Sequence, residues 1–174
     1  MPHRILILAY GNPLRSDDGF AWHAAEMLRP AAQNLAAEIL CEYQLTPELA
    51  ATASTAELVI FIDAACNGQP GQIACTPVLP HPEPPRFSHQ LAPEQIIALC
   101  GELYDAHPRA YAISVTGESF EHGEELTATV RDALPSCVSI AEELMARCDQ
   151  PEEPASKMEA WYVVHCDGHE AEVW

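Results

Sequence analysis

Arg4-Ile-Leu-Ile-Leu-Ala-Tyr10 is an unbroken apolar run that stops at Gly11-Asn12-Pro13. A strand covered on both faces by helices reads this way, because neither side of it meets water. Leu58-Val-Ile-Phe-Ile62 and Ala110-Tyr-Ala-Ile-Ser-Val115 repeat the pattern, and Glu38–Gln44 and Gln72–Val78 are weaker strand candidates. Helix-length stretches lie between them. Gly19–Leu28 places Phe20, Ala24, Met27 and Leu28 on one face, and Pro93–Leu103 does so with Ile96, Ile97, Leu99, Cys100 and Leu103. Thr127 is a candidate cap for a last helix carrying Val130, Leu134, Val138, Ala141 and Leu144, with a kink expected at Pro135. Strands that alternate with helices imply an α/β fold with a mostly parallel sheet.

The 174 residues suit one domain, and a chain of this size buries about two-thirds of its unfolded surface. The domain is expected over 1–149. Asp149–Met158 reads as a linker, and residues 150–174 as a linker and C-terminal extension packing on or beside the domain, with a strand-like Trp161-Tyr-Val-Val164. Five prolines between Pro77 and Pro85 make that segment a stiff loop. The net charge of -18 comes from 26 acids against 8 Lys plus Arg, a field that repels nucleic-acid phosphates and anionic lipid. Seven cysteines, an odd number without a CxxC pair, read as reduced thiols in a reducing compartment. The N-terminal apolar run is too short for a signal-peptide core, and nothing approaches a membrane span. A cytoplasmic protein is expected.

Ligands of open α/β sheets bind beyond the carboxyl ends of the strands. Ser16-Asp17-Asp18-Gly19 follows the first strand, Asp63 ends the third, and Ser88-His89-Gln90 precedes a helix. Each has a bland reading: Asp17 and Asp18 as first-turn acids of a helix, Asp63 as a loop cap, His89 as a surface side chain. Together, Asp17 or Asp18 with Asp63 and His89 form an oxygen-rich donor set, suited to a divalent first-row metal with open positions. Such a site can polarise a carbonyl or activate water, which amide hydrolysis requires. The glycine turn lacks the GxGxxG and GxxxxGK patterns, and its aspartates would repel a phosphate.

Ile5-Leu-Ile-Leu-Ala-Tyr-Gly-Asn-Pro-Leu-Arg-Ser-Asp-Asp-Gly19 resembles the opening of the hydrogenase maturation peptidases, which trim the C-terminus of the large subunit of nickel–iron hydrogenases. Val59-Ile-Phe-Ile-Asp-Ala64 and Ser88-His89-Gln90-Leu91 resemble that family's second and third signatures, and Leu126–Val130 with Pro135 its last helix. The resemblance covers about residues 4–146. It implies a three-layer α/β/α sandwich with a five-stranded, mostly parallel sheet. It also implies an aspartic-type, nickel-recognising endopeptidase in which Asp18, Asp63 and His89 are both the catalytic residues and the metal ligands. The implied partner is the large-subunit precursor, which carries the nickel, and the peptidase is expected to act as a monomer. Where several members have an Asp-Gly-Gly-Thr-like turn, this chain has Cys41-Glu-Tyr-Gln-Leu-Thr-Pro-Glu48, similar to members serving soluble cytoplasmic hydrogenases.

Three rivals belong to other classes. A phospho-acceptor receiver domain built on Asp63 also has acids after strand one, but needs a lysine after strand five, where this chain has Ser114-Val-Thr-Gly117. A cysteine peptidase pairing Cys66 with His89 lacks a further cation to stabilise its thiolate. A non-catalytic chaperone of the same fold would not need the retained ligands. His165-Cys166-Asp-Gly-His169 lacks the partner cysteine pair of a second metal site.

Overall fold

β1 (Ile5–Tyr10) is buried on both faces, and its side chains divide between two cores. Ile5, Ile7 and Ala9 point into one apolar cluster, Leu6 and Leu8 into the other. That two-sided burial is why the run shows no polar alternation. The computed structural model describes residues 5–81 and 91–148 and the backbone of 162–164.

The other strands are β2 (Ala37–Glu42), β3 (Leu58–Ala65), β4 (Ile73–Pro77), β5 (Arg109–Thr116) and the three-residue β6 (Tyr162–Val164). The sheet order is β2-β1-β3-β5-β4-β6. The first four are mutually parallel, whereas β4 is antiparallel to both β5 and β6. The five expected strands are thus all present, and β6, from within the strand-like stretch at Trp161–Val164, adds a short sixth at the edge.

Helices cover both faces. α1 (Phe20–Asn34) and α5 (Leu134–Ala146) pack together over one, α2 (Leu49–Ala53) and α3 (Pro93–Tyr104) over the other. α1 runs a turn and a half beyond the expected end at Leu28 because Ala32 still lands in the core. Pro30 takes only the backbone bond to the Glu26 carbonyl from it. The expected kinked last helix is instead two: α4 (Ala128–Asp132) and α5, with the break at Ala133 and Pro135 in the first turn of α5. Proline is tolerated there because a first-turn N–H has no helical partner to lose. α2, short and rich in alanine, carried no periodic signal and was not expected.

None of the six described cysteines forms a disulfide. Cys100, Cys137 and Cys148 are buried, and burial pushes the thiols of Cys100 and Cys137 up to about 11 and about 12. They behave as small core hydrophobes. No helix among the described residues is long and apolar enough to cross a membrane.

Candidate active site

The register puts Asp63 of β3 directly beside Ser114 of β5, and Tyr10 follows the Ala9–Ile62 pair on the other flank. Strand alternation gives all three side chains the face covered by α2 and α3. Asp63 therefore sits within β3, two residues before its end at Ala65, and not at the strand terminus. The Tyr10 hydroxyl donates to Asp63 Oδ2 at 2.9 Å, and Ser114 stands beside the same residue on the opposite flank. Burial nevertheless raises the Asp63 carboxyl above the ordinary carboxylate range. The Ser114 and Tyr10 hydroxyls oppose that shift, and the charges of Asp18 and Glu94 add to it. The Tyr10 hydroxyl is likewise pushed far up, by burial first and by Asp63 next, so it stays protonated and keeps its hydrogen bond to Asp63 throughout the physiological range.

Asp17 and Asp18 lie in a single 3₁₀ turn, Ser16–Gly19, that leads straight into α1. Their side chains part company. Asp17 is fully buried: Oδ2 accepts the backbone N–H groups of Glu118 (2.8 Å) and Ser119 (2.9 Å), and Oδ1 that of Thr127 (2.8 Å). The Thr127 hydroxyl also bonds both oxygens, at 3.1 and 3.0 Å. Thr127 does hold the N-cap position of α4, but its hydroxyl serves Asp17 and makes no cap bond. Asp18 is half-buried and turns toward the sheet, its Oδ2 accepting the N–H of Asn12 at 2.9 Å.

Gly11 makes that turn possible. Its φ is +140°, and a Cβ there would lie 2.1 Å from the Asp18 carbonyl oxygen, so only glycine lets the two backbones approach this closely. Its carbonyl accepts the Trp22 indole N–H at 2.9 Å, and the Trp22 ring in turn meets Tyr43 edge-on at 5.6 Å between centroids.

Asp18 and Asp63 face one cleft of about 140 Å³, which Tyr10, Gly11, Tyr43, Gln44, Leu45, Ala64 and Leu91 also line. The structure thus brings two of the three expected acid and imidazole donors together. His89 lies outside the described residues, as do the linker over 149–158 and the His165–His169 cluster. Among the described residues no three His, Cys, Asp or Glu side chains gather closely enough to hold a metal ion. Cys66, exposed, does not line the cleft. Sequence reading missed two groups: Tyr10 and the first-turn Glu94 of α3. The available signal for Tyr10 was its parity with Leu6 and Leu8, which puts it on the same face as Asp63.

The layered sheet is the fold of solved hydrogenase maturation endopeptidases. The HybD endopeptidase from E. coli superposes with a TM-score of 0.64 at 21% identity, over 83% of this chain and 91% of that one. The [NiFe] hydrogenase maturation protease HybD from Thermococcus kodakarensis gives 0.63 at 22%, over 82% and 99%. An Escherichia coli endopeptidase solved in solution gives 0.65 at 23%, over 88% and 99%. No protein-family model matches the chain, and no curated protein matches it significantly in sequence.

Proposed function

We propose that this chain is a cytoplasmic, monomeric endopeptidase that removes the C-terminal extension of a nickel–iron hydrogenase large-subunit precursor after nickel insertion. The observation that carries the reading is the meeting of Asp18 and Asp63 in one cleft, on the fold of solved hydrogenase maturation endopeptidases. Two carboxylates held together repel each other until a cation arrives. His89, two residues before the cleft-lining Leu91, supplies the third donor on this reading.

The donor set also explains when cutting happens. Two oxygens and one nitrogen bind free nickel more weakly than the soft thiolates of a hydrogenase precursor do. The peptidase then meets nickel as part of its substrate, and its donors take the positions the thiolates leave open. This sets the scissile bond beside Asp18 and Asp63. Hydrolysis adds water across that C–N bond: the hydroxyl goes to the carbonyl carbon, and on this reading a carboxylate of the pair takes the water's proton and delivers it to the departing amine nitrogen. The Tyr43–Glu48 segment lies where partner choice is made, because Tyr43, Gln44 and Leu45 form one wall of the cleft.

A topological observation weighs against the receiver rival. Receiver domains use the all-parallel order 2-1-3-4-5, whereas here β5 lies beside β3 and β4 is antiparallel at its outer flank.

The test is to incubate the protein with matched precursor, with and without inserted nickel, and to weigh the products. A single C-terminal cut in the nickel-loaded form alone is expected, abolished by Asp63→Asn and by His89→Ala. Equal cutting of both forms removes the nickel checkpoint, and no cutting of either removes the peptidase reading.

A further inference from the structure

Three consecutive residues at the end of β1 touch both acids. The Tyr10 hydroxyl donates to Asp63, Gly11 packs under the Asp18 carbonyl, and the Asn12 N–H donates to Asp18. The cleft's two carboxylates are therefore held by one continuous segment, whose first residue is fixed in the sheet by its pairing with Glu42 of β2. Asp63 has a lateral neighbour on each side, Tyr10 from β1 and Ser114 from β5, and the Tyr10 hydroxyl donates to it. A carboxylate held this way cannot rotate about its own axis without breaking that bond.

We propose that Tyr10 is a positioning residue for this site, its hydroxyl fixing the rotation of the Asp63 carboxylate so that it meets the substrate's metal and scissile bond in one orientation. The inference rests on the peptidase reading given above. Nothing but the hydroxyl is specific to the role. The ring lines the cleft and would fill the same space as phenylalanine. The hydroxyl is spent on Asp63, at 2.9 Å, inside the range of O–H···O hydrogen bonds. Partners that orient a ligating carboxylate typically matter by roughly 10–100-fold in activity. A positioning role acts on the chemical step, so the loss belongs in kcat and not in KM.

The experiment compares wild type, Tyr10→Phe and Ser114→Ala on the nickel-loaded precursor, with melting temperature measured for each. The expected result for Tyr10→Phe is a kcat lower by roughly 10–100-fold, KM within about twofold of wild type, and an unchanged melting temperature. Ser114→Ala should lose kcat in the same manner, because it removes the polar neighbour on the other side of the same carboxylate. A Tyr10→Phe enzyme with wild-type kcat overturns the proposal, and so does a loss confined to KM or accompanied by a lower melting temperature. Should Tyr10→Phe fold poorly, Ser114→Ala decides: a wild-type kcat there overturns the positioning of Asp63 by its strand neighbours. If wild type itself leaves the precursor uncut, it is the peptidase reading that fails.

Discussion

Asp17 and Asp63 are the same chemical group in opposite circumstances. Asp17 is buried among three backbone N–H groups and a hydroxyl. Burial alone would raise its carboxyl, but those bonds more than offset that and hold it below the ordinary range. Asp63 accepts a side-chain hydrogen bond from Tyr10, faces the charges of Asp18 and Glu94, and is held above that range, burial being the first cause. One carboxylate is stabilised as an anion by the fold; the other is destabilised as an anion by it. Buried charge that is fully satisfied marks a structural anchor, and buried charge left short of partners marks a place awaiting a ligand.

Removing the anchor is the harshest way to test this contrast. Asp17 ties the turn after β1 to the segment between β5 and α4, which Ser16 and Gly123 also stitch together through the bonds Ser16 N–H to Gly123 O (2.7 Å) and Gly123 N–H to Leu14 O (2.9 Å). Asp17→Ala leaves several donors without their acceptor, so a loss of about 3 kcal/mol or more is expected. In a domain of this size that lowers the melting temperature by roughly 10 °C. Urea unfolding measures it directly, and a variant as stable as wild type would break the distinction between the two aspartates.

The cleft acid should behave in the reverse sense. Because the folded Asp63 carboxyl is raised, the folded state binds more protons than the unfolded one just above the ordinary carboxylate range. The stability it contributes is complete below that range and is lost as pH rises through the raised folded value. Asp63→Asn should therefore melt higher than wild type at neutral pH, the gain shrinking as the solution is acidified. For Asp17, with its lowered carboxyl, the linkage runs the other way. Its contribution is present at neutral pH and lost as pH falls below the ordinary range, so the Asp17→Asn penalty also shrinks in acid. Melting temperatures of both variants between about pH 3 and pH 8 sharpen the comparison into two curves of opposite sign. Two curves of the same sign would show that site and anchor are not distinguished electrostatically.

How far this contrast could be read beforehand depends on range along the chain. The strands were legible because two-sided burial strips polar residues from Ile5–Ala9 and Leu58–Ile62 and leaves Ala110–Val115 mostly apolar, a purely local signature. The placement of Asp18 and Asp63 at one sheet edge followed from the rule that parallel sheets bind ligands at their carboxyl ends. Which of Asp17 and Asp18 faces the cleft was not legible locally, since both stand in the same polar turn. It is settled by partners more than 100 positions away, Glu118, Ser119 and Thr127. Tyr10 was passed over for a related reason. At the end of an apolar strand a tyrosine reads as core, and only the register with β3 shows that its hydroxyl has Asp63 to bond. The split of the last helix at Ala133 also went unread, because the apolar spacing of Val130, Leu134, Val138 and Ala141 continues smoothly across the break.

The smallest effect expected is at Cys66, one residue past the end of β3 and three from Asp63. A thiol this near an acid–imidazole pair invites a nucleophilic role, and the sequence left that rival standing. The geometry argues otherwise. Asp63 is held by the Tyr10 hydroxyl and lines the cleft, whereas Cys66 is exposed and stands outside that lining. Alternation along an extended chain also directs residue 66 to the face opposite residue 63. A nucleophilic thiol further needs a neighbouring cation to hold it as thiolate, and no Lys, Arg or His is among the described residues that line the cleft. Cys66→Ala should accordingly cut the nickel-loaded precursor at the wild-type rate within about twofold and melt within a degree or so, a surface substitution of this kind costing less than about 0.5 kcal/mol. Prior alkylation of the exposed thiol with iodoacetamide should be equally silent. A folded Cys66→Ala protein that no longer cuts would move the chemistry from the carboxylate pair to a covalent thioester route, and the contrast between Asp17 and Asp63 would then describe stability alone.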